Sequence, residues 1–472
     1  MGSRNWQPYV DLSTQCNTVT GSCHLGVAKF PNGDTMKFII DCGLFQGGEG
    51  EIYNSKLTFS AEQIDFAVVT HNHVDHTGRF PLLTKNGFRG KIYTTEDTKV
   101  LIPLALGDSC KVLKDLSKRN HVKPLYSESN VEGSLNQVVS IRMRQTVYVN
   151  KYTKITLFDN GHLIGAAIVL VQISYPGYED INLLFMGDYN NKNIFLDLQG
   201  VDDWVKDLNL TIVTEATYGN MNSYEMHECF RDNIEKCIRY GGTAVVPVFS
   251  LGRAQEILYK MQEFQKEGML DRNIPVRFDG KLGIRYTHLF TSGALHIKEE
   301  MRDFLPQNLT FVDKTTRDSV LKYSDSQIIL TTSGMGSYGP AQIYIPEFIR
   351  RPNSLIHFTG YTAPDTLGGK LKSAGIGEKV EMNGLFIKKA AEVEYTNEFS
   401  AHAKADEIIA FLKQFRKLKL TLVTHGEEYA KDALANRICL EVNTKDVGIL
   451  DRRYVFRIGP FGLIKTLTTK YL

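Results

Sequence analysis

Four of the six residues in HNHVDH, positions 71 to 76, are of types that bind metal ions. They follow the apolar run IDFAVVT, so the cluster stands where a buried strand should end. Alternate side chains of an extended stretch share a side, which lets His71 and His73 converge on one ion. As the chain turns, Asp75 and His76 can face a second ion beside it. Two imidazoles on one metal, and a carboxylate plus an imidazole on its neighbour, suit borderline-soft zinc. One segment cannot fill two coordination spheres. His162 in DNGHLIGAA, Asp188 ending INLLFMGD and His425 ending LTLVTH offer ligands at further strand ends, and a carboxylate at 188 could bridge both ions.

The elements that must hold these residues read as two kinds of chain. Before Asp188, short apolar strands (Met36 to Gly43, Ile64 to His71, Ile181 to Asp188) alternate with glycine turns, and 147–161 reads as a hairpin turning near Asn150. Leu101 to Ser127 reads as helix. After about residue 220 strand alternates with helix, as in a layered α/β domain. Met226, Cys229, Phe230, Ile234, Cys237 and Ile238 share one helical face, and Gly241-Gly242 ends that helix. TAVVPVF, QIILTT and SLIHF are the strands expected there. Beyond Lys389 the earlier character returns, with a helix from Ala405 to Phe415 and the strand Leu420 to His425. One domain interrupted by another is expected, with boundaries at 1–215, 216–385 and 386–472.

Two glycine-rich turns in the inserted part could hold substrate. Ser250, Gly252 and Arg253 lie between a strand and a helix, where free N–H groups and a guanidinium can grip phosphate. Ser333 and Gly334 open a second run of small residues that would let a sugar-phosphate backbone approach closely. His24, His121, His227, His288, His296 and His357 have no ligand-like company and are expected to be structural or surface residues.

The bulk numbers narrow the field without choosing a partner. A chain of 472 residues with 42% hydrophobic and 23% charged residues folds into more than one core, and a net charge of +2 excludes a globally basic nucleic-acid binder. Seven cysteines, an odd number with no CxxC pair, argue against a disulfide framework and for a reducing compartment. With no signal-like N-terminus, myristoylation signal or membrane-length run, a cytoplasmic protein is expected.

The order Asp41 in DCGLFQG, HNHVDH, His162 and Asp188 resembles the metallo-β-lactamase fold. Glu215 in TEATYG, His402 in FSAHA and His425 in VTHGE resemble the further marks of its nucleic-acid-processing branch, the β-CASP nucleases. TGSCHL, PVFSLGRAQE, TSGMGSYGPA and GYTAPDTLGG match in style, so the resemblance spans about Thr18 to Glu428. Tyr189, after the bridging aspartate, and GSYGPA, after Met335, depart from the usual residues. The resemblance implies an α/β fold, a metallo-β-lactamase αββα sandwich interrupted by an inserted α/β β-CASP domain.

It also implies a zinc-dependent ribonuclease with two zinc ions, manganese being the alternative metal. On that reading His71, His73 and His162 hold one ion, Asp75, His76 and His425 the other, and Asp188 bridges. Asp41 would orient a ligand or the water. His402 would donate a proton to the leaving 3′ oxygen and Glu215 would orient it, leaving a 5′ phosphate and a 3′ hydroxyl. From the residues alone, Ser400-Ala401-His402 could equally cap the following helix. Endonucleolytic and 5′-exonucleolytic modes both stay open. The rival readings are a DNA nuclease of the same family, which tends to carry valine at the position of His425, and a small-molecule (thio)ester hydrolase, which has no need of Glu215 and His402. The substrate implied is single-stranded RNA. Without an N-terminal RNA-binding module or long C-terminal domain, affinity would then depend on a homodimer or an RNA-processing partner protein.

Overall fold

The computed structural model describes residues 7–16, 18–46, 52–225, 227–360 and 362–469; Met226, Gly47 and Tyr361, used above, lie outside them. The chain forms two compact units, Met1–Ser223 with His402–Leu472, and Tyr224–Ala401.

In the first unit two sheets lie face to face. One has eight strands in the order Gly462–Thr468, Tyr454–Gly459, Tyr9–Thr14, His24–Lys29, Thr35–Ile40, Phe66–Val68, Lys91–Thr95 and Val138–Ile141. The other has seven, in the order Asp446–Ile449, Leu418–Val423, Leu210–Thr214, Ile181–Phe185, Ala167–Ile173, Thr153–Asp159 and Thr146–Tyr148. The two-residue period of a strand explains the layering. Phe38, Ile40, Phe66 and Val68 turn inward against Leu157, Val169, Leu183 and Leu422 of the facing sheet. Their neighbours Ile39, Ala67 and Val69 turn outward and pack on Leu83, Ile102 and Leu106. On the far side, Ile168, Leu170 and Ile212 meet Ile408, Leu412, Leu434 and Ile438. Both faces of these strands are buried, which is why they read as continuous apolar runs. The result is an αββα sandwich.

The last part of the chain completes both sheets. Leu418–Val423 pairs in parallel with Leu210–Thr214, and Tyr454–Gly459 pairs antiparallel with Tyr9–Thr14. The hairpin expected near Asn150 is formed by Thr146–Tyr148 and Thr153–Asp159.

The second unit is built on a six-stranded sheet whose pairs are all parallel: Leu309–Val312, Val276–Asp279, Gln327–Thr331, Thr243–Pro247, Leu355–Phe358 and Glu392–Tyr395. Its boundaries differ from those expected. Glu392–Tyr395 pairs with Leu355–Phe358, so the sheet of this unit continues past residue 385. Tyr218 forms a bridge with Lys404, and Ser223 donates to Asp406 (2.9 Å), so residues just beyond 215 stay with the first unit. A strand as polar as EVEY, at a sheet edge and only half-buried, carries no apolar signal to place it. The helix expected from Met226 spans Phe230–Arg239, with Cys229 as its cap and Phe230, Ile234 and Cys237 as its buried stripe. Among the described residues, no helix is long and apolar enough to cross a membrane.

Candidate metal centre

The strands Thr35–Ile40, Phe66–Val68, Ile181–Phe185 and Leu418–Val423 each run into a segment bearing one of the expected residues: Asp41, His71, Asp188 and His425. Two of these hold a backbone conformation that residues other than glycine rarely adopt, Asp41 with φ 59° and His425 with φ 48°. Such conformations cost about 1–3 kcal/mol each and persist where surrounding structure enforces them. HNHVDH begins extended, with His73 at ψ 149°, and then turns into the short helix Val74–Thr77, which carries Asp75 and His76. The loop after Asp41 is stitched to this helix by Cys42 N–H to the His76 carbonyl (2.8 Å) and Leu44 N–H to the Val74 carbonyl (2.9 Å). Between them, Gly43 lies so close that a Cβ there would stand 1.5 Å from the Asp75 carbonyl oxygen, so only glycine permits the contact.

Six side chains from three other stretches gather around Asp188. His71 Nε2 and His162 Nε2 lie 3.6 and 3.7 Å from its Oδ2, and both lie close to His73 Nδ1, at 3.2 and 3.1 Å. The other oxygen, Oδ1, faces His76 Nε2 at 3.2 Å and His425 Nδ1 at 3.1 Å. Asp75 Oδ2 stands 3.8 Å from Nε2 of both His76 and His425. One carboxylate thus presents one oxygen to each of two groups, and the ligand-type atoms of each group lie within 4.8 Å of one another.

Further residues hold these side chains in place. Asp41 accepts from the Thr70 N–H (Oδ1, 2.8 Å) and hydroxyl (Oδ2, 2.8 Å), and its Oδ2 lies 2.7 Å from His76 Nδ1. The Thr70 hydroxyl in turn touches His71 Nδ1 at 3.0 Å. Asp41 therefore orients one histidine of each group, one directly and one through Thr70. Asn160 donates to the carbonyls of Met186 and Asp188 and accepts from the His162 N–H. Thr70 and Asn160 escape a reading of sequence because a threonine and an asparagine beside a strand end look like ordinary turn residues. Their adjacency to His71 and His162 was the available signal.

The charges are set for a cation. Burial, reinforced by the neighbouring His76, holds His71 well below the usual imidazole range, and burial lowers His73 to about 4, so both present neutral rings. Burial opposes ionisation of Asp188, but the histidines around it outweigh this and hold it well below the carboxylate range. Burial likewise opposes protonation of His76, and the Asp188 and Asp41 carboxylates overcome it, so the pKa of this ring is raised while no cation is bound. His76 Nε2, Asp188 Oδ1 and both ring nitrogens of His425 are buried and face one another or Asp75 without forming a well-aligned hydrogen bond. Leaving such groups unsatisfied costs about 1–3 kcal/mol each, which direct bonds to a cation would offset. The donor set, imidazole nitrogens and carboxylate oxygens, fits a metal such as zinc.

Glu215 and His402 stand beside the first group. His402 Nδ1 lies 2.9 Å from both carboxylate oxygens of Glu215, and its ring centre is 4.7 Å from that of His162. Glu215 is itself pinned by the N–H groups of Tyr189 (2.6 Å) and Thr217 (3.2 Å). Burial pulls the His402 pKa down, but the Glu215 charge and hydrogen bond outweigh it and the net shift is upward. The capping alternative fails, since the helix Ala405–Leu412 is capped at Lys404, whose N–H is bound by Glu407 (2.8 Å).

Ser250, Gly252, Arg253, Ser333 and Gly334 belong to the second unit, where they follow the carboxyl ends of the adjacent parallel strands Thr243–Pro247 and Gln327–Thr331. The two turns touch, as a Cβ on Gly334 would meet the Phe249 ring at 2.8 Å. Arg253 departs from expectation. Its guanidinium is buried, donates to the Thr359 carbonyl and lies over the Phe399 ring, so it braces its own unit instead of offering a phosphate grip. An inward-facing position on an amphipathic helix drew it into the interior. His24 departs in the other direction. Expected to lack ligand-like company, it is buried in a cavity it shares with His76, Asp188 and His425.

Three family descriptions match the chain in series: the metallo-beta-lactamase superfamily over residues 29–133, the Beta-Casp domain over 254–371, and the Zn-dependent metallo-hydrolase RNA specificity domain over 387–447. The chain is 27% identical to the transcription termination factor FttA of Methanosarcina mazei, over 90% of this chain and 67% of the relative. It is 27% identical to ribonuclease TTHA0252 of Thermus thermophilus (89% and 94%), and 27% identical to cleavage and polyadenylation specificity factor subunit 3-II of Arabidopsis thaliana (86% and 66%). It thus spans nearly all of the bacterial relative and about two thirds of the other two. With the sandwich, the inserted parallel-sheet unit and the histidine–aspartate cluster agreeing with these matches, the chain belongs to the metallo-β-lactamase superfamily, in the branch that carries an inserted Beta-Casp domain.

Proposed function

We propose that this protein is a metal-dependent ribonuclease that hydrolyses RNA phosphodiester bonds with two metal ions, zinc in the first instance, leaving a 5′ phosphate and a 3′ hydroxyl. His71, His73 and His162 would hold one ion, Asp75, His76 and His425 the other, with Asp188 shared between them. When bound, the ions supply charge neutralisation at the phosphate and lower the pKa of the attacking water. The observation that carries the reading is the Glu215–His402 pair beside this cluster, with both carboxylate oxygens 2.9 Å from Nδ1. A hydrolase of small esters has no need of it, whereas a poor leaving group such as a ribose 3′ oxygen needs a proton.

The residues divide the work as follows. Glu215 accepts a hydrogen bond from His402 Nδ1–H, which keeps that proton on Nδ1 and leaves Nε2–H as the proton donor. His402 gives that Nε2 proton to the departing 3′ oxygen and is left as the neutral Nδ1–H tautomer. Asp41 fixes His76 directly and His71 through Thr70, so that one ligand of each ion is held before substrate arrives. In the second unit, the backbone N–H groups of the Ser250–Gly252 and Ser333–Gly334 turns are the proposed contacts to the RNA backbone. The names of the relatives, a ribonuclease among them, support RNA as the polymer.

The test is cleavage of end-labelled single-stranded RNA beside the matching DNA by metal-loaded protein and its His402→Ala variant. Cutting of RNA with DNA spared, and a variant that keeps its metals while losing most of its rate, is the expected result. Equal cutting of DNA would reassign the substrate. No cleavage of either polymer by fully metallated protein would remove the reading.

A further inference from the structure

A small cavity is lined by His24 and Thr424 together with His76, Asp188 and His425 of the cluster, among others, with room of about 20 Å³ for a water. Outside the carboxylate and His76 of the cluster itself, three lining residues bring buried polar atoms that make no hydrogen bond: His24 Nδ1, Thr424 Oγ1, and both ring nitrogens of His425. All three are at least 95% buried, with exposures of 5%, 4% and 4%. A site needs about 10–15 Å³ and two to four polar partners to hold a water, and this cavity meets both conditions.

A metal-ligating imidazole is oriented by what its other nitrogen binds. For His71 that partner is Thr70, and for His76 it is Asp41. His425 can give only one nitrogen to an ion, and neither ring nitrogen makes a well-formed hydrogen bond within the protein, although Nδ1 lies 3.1 Å from Asp188 Oδ1 and Nε2 3.8 Å from Asp75 Oδ2. Its backbone is held, with the carbonyl accepting from Ala216 N–H at 3.0 Å, but its ring is not.

We propose that a buried water occupies this cavity, held by His24 Nδ1 and Thr424 Oγ1, and that it orients the His425 imidazole, which makes His24 a positioning residue for the metal centre. The bonds balance. The spare N–H of His425 donates to the water oxygen, the water donates one hydrogen to His24 Nδ1, and the Thr424 hydroxyl completes its shell. His24 is anchored in the strand His24–Lys29, opposite Ile40, so the water is tied to the same strand that leads into Asp41. This inference rests on the metal reading of the cluster.

The test compares wild type, His24→Leu, His24→Gln and Thr424→Val, each loaded with zinc and titrated with a competing chelator, alongside thermal melts of the metal-free proteins. His24→Leu is expected to weaken the more readily lost zinc by roughly 10–100-fold, as other losses of a ligand's outer partner do. Thr424→Val should do the same to a lesser extent, His24→Gln should retain most of the affinity, and the metal-free melting temperatures should not fall. A crystal structure of zinc-loaded wild type should show a water within hydrogen-bonding distance of His24 Nδ1 and His425. Unchanged zinc affinity in His24→Leu overturns the inference. So does equal loss in the leucine and glutamine variants with a lowered metal-free melting temperature, which would mark His24 as a packing residue. Wild type that takes up no zinc overturns both this inference and the metal reading. Zinc bound normally without cleavage of RNA would remove the ribonuclease reading alone.

Discussion

Two buried aspartates at strand ends, Asp188 in the first unit and Asp279 in the second, have the same exposure of 2% and opposite surroundings. Asp279 is clasped by Arg317, with Nε at 2.6 Å and Nη2 at 3.1 Å, and accepts a third bond from the Tyr344 hydroxyl at 2.9 Å. Its oxygens are spent on a permanent cation. Asp188 meets four imidazoles instead, two on each oxygen, and Oδ1 has no hydrogen bond. Imidazoles can be neutral and can exchange a proton for a metal; a guanidinium can do neither. The difference shows how one kind of position, an acid after a buried strand, becomes a brace in one case and a candidate cation site in the other. What decides is whether its neighbours carry fixed or exchangeable charge.

The comparison can be broken most directly at Asp188. Replacing it by alanine should release metal from both groups and lower RNA cleavage by about 10,000-fold or more, read by metal analysis and a cleavage assay on the same sample. Retention of two ions would end the claim that this residue is shared. Asp279→Ala should leave metal content unchanged but lower stability by about 3–5 kcal/mol, because Arg317 is stranded, and denaturant titration measures this. If that variant lost metal, the two aspartates would not be separable in role.

His402→Ala should lower the rate by roughly 100–10,000-fold with metals retained. The pH dependence sharpens the point. Glu215 raises the His402 pKa against the effect of burial, so the protonated acid persists at higher pH than for an ordinary imidazole. Cleavage should therefore fall as pH rises through that raised value, and Glu215→Gln should move the alkaline limb to lower pH. An unmoved limb would show that His402 is not the titrating acid. The smallest effect concerns metal exchange at His76. Because its two carboxylate neighbours hold a proton on the ring, metal uptake should release that proton, and uptake measured in buffers of different ionisation enthalpy should differ accordingly. Buffer-independent heats would contradict this.

Much of the fold was legible because burial on both faces writes strands as apolar runs, as in INLLF and LTLV. The edge strand EVEY was not, since an edge strand half in solvent has no such pattern, and the domain boundary moved with it. The residues of the cluster stood out because they end those apolar runs. The company kept by Glu215 and His402 rested on resemblance alone, for 187 residues separate them and no local period can report a contact at that range. Thr70 and Asn160 were hard to read because a threonine and an asparagine beside a strand end look like turn residues, and His24 because no other histidine or acidic residue stands near it in sequence. Arg253 misled for the opposite reason, being a charged residue in a suggestive turn whose side chain points inward.

By itself, then, the sequence determined which ligand types stand at which strand ends, and that His71 and His73 share a side of their segment, because side-chain direction within one strand follows a period of two residues. The tertiary structure alone decided how strand ends from distant parts of the chain meet. It turned one oxygen of Asp188 to each group of histidines, set Asp41 against His76, and closed His24, Thr424 and His425 around one cavity. Those relations depend on sheet register and on the packing of two sheets across a common core, and a shift of one residue in register would reverse every side chain involved.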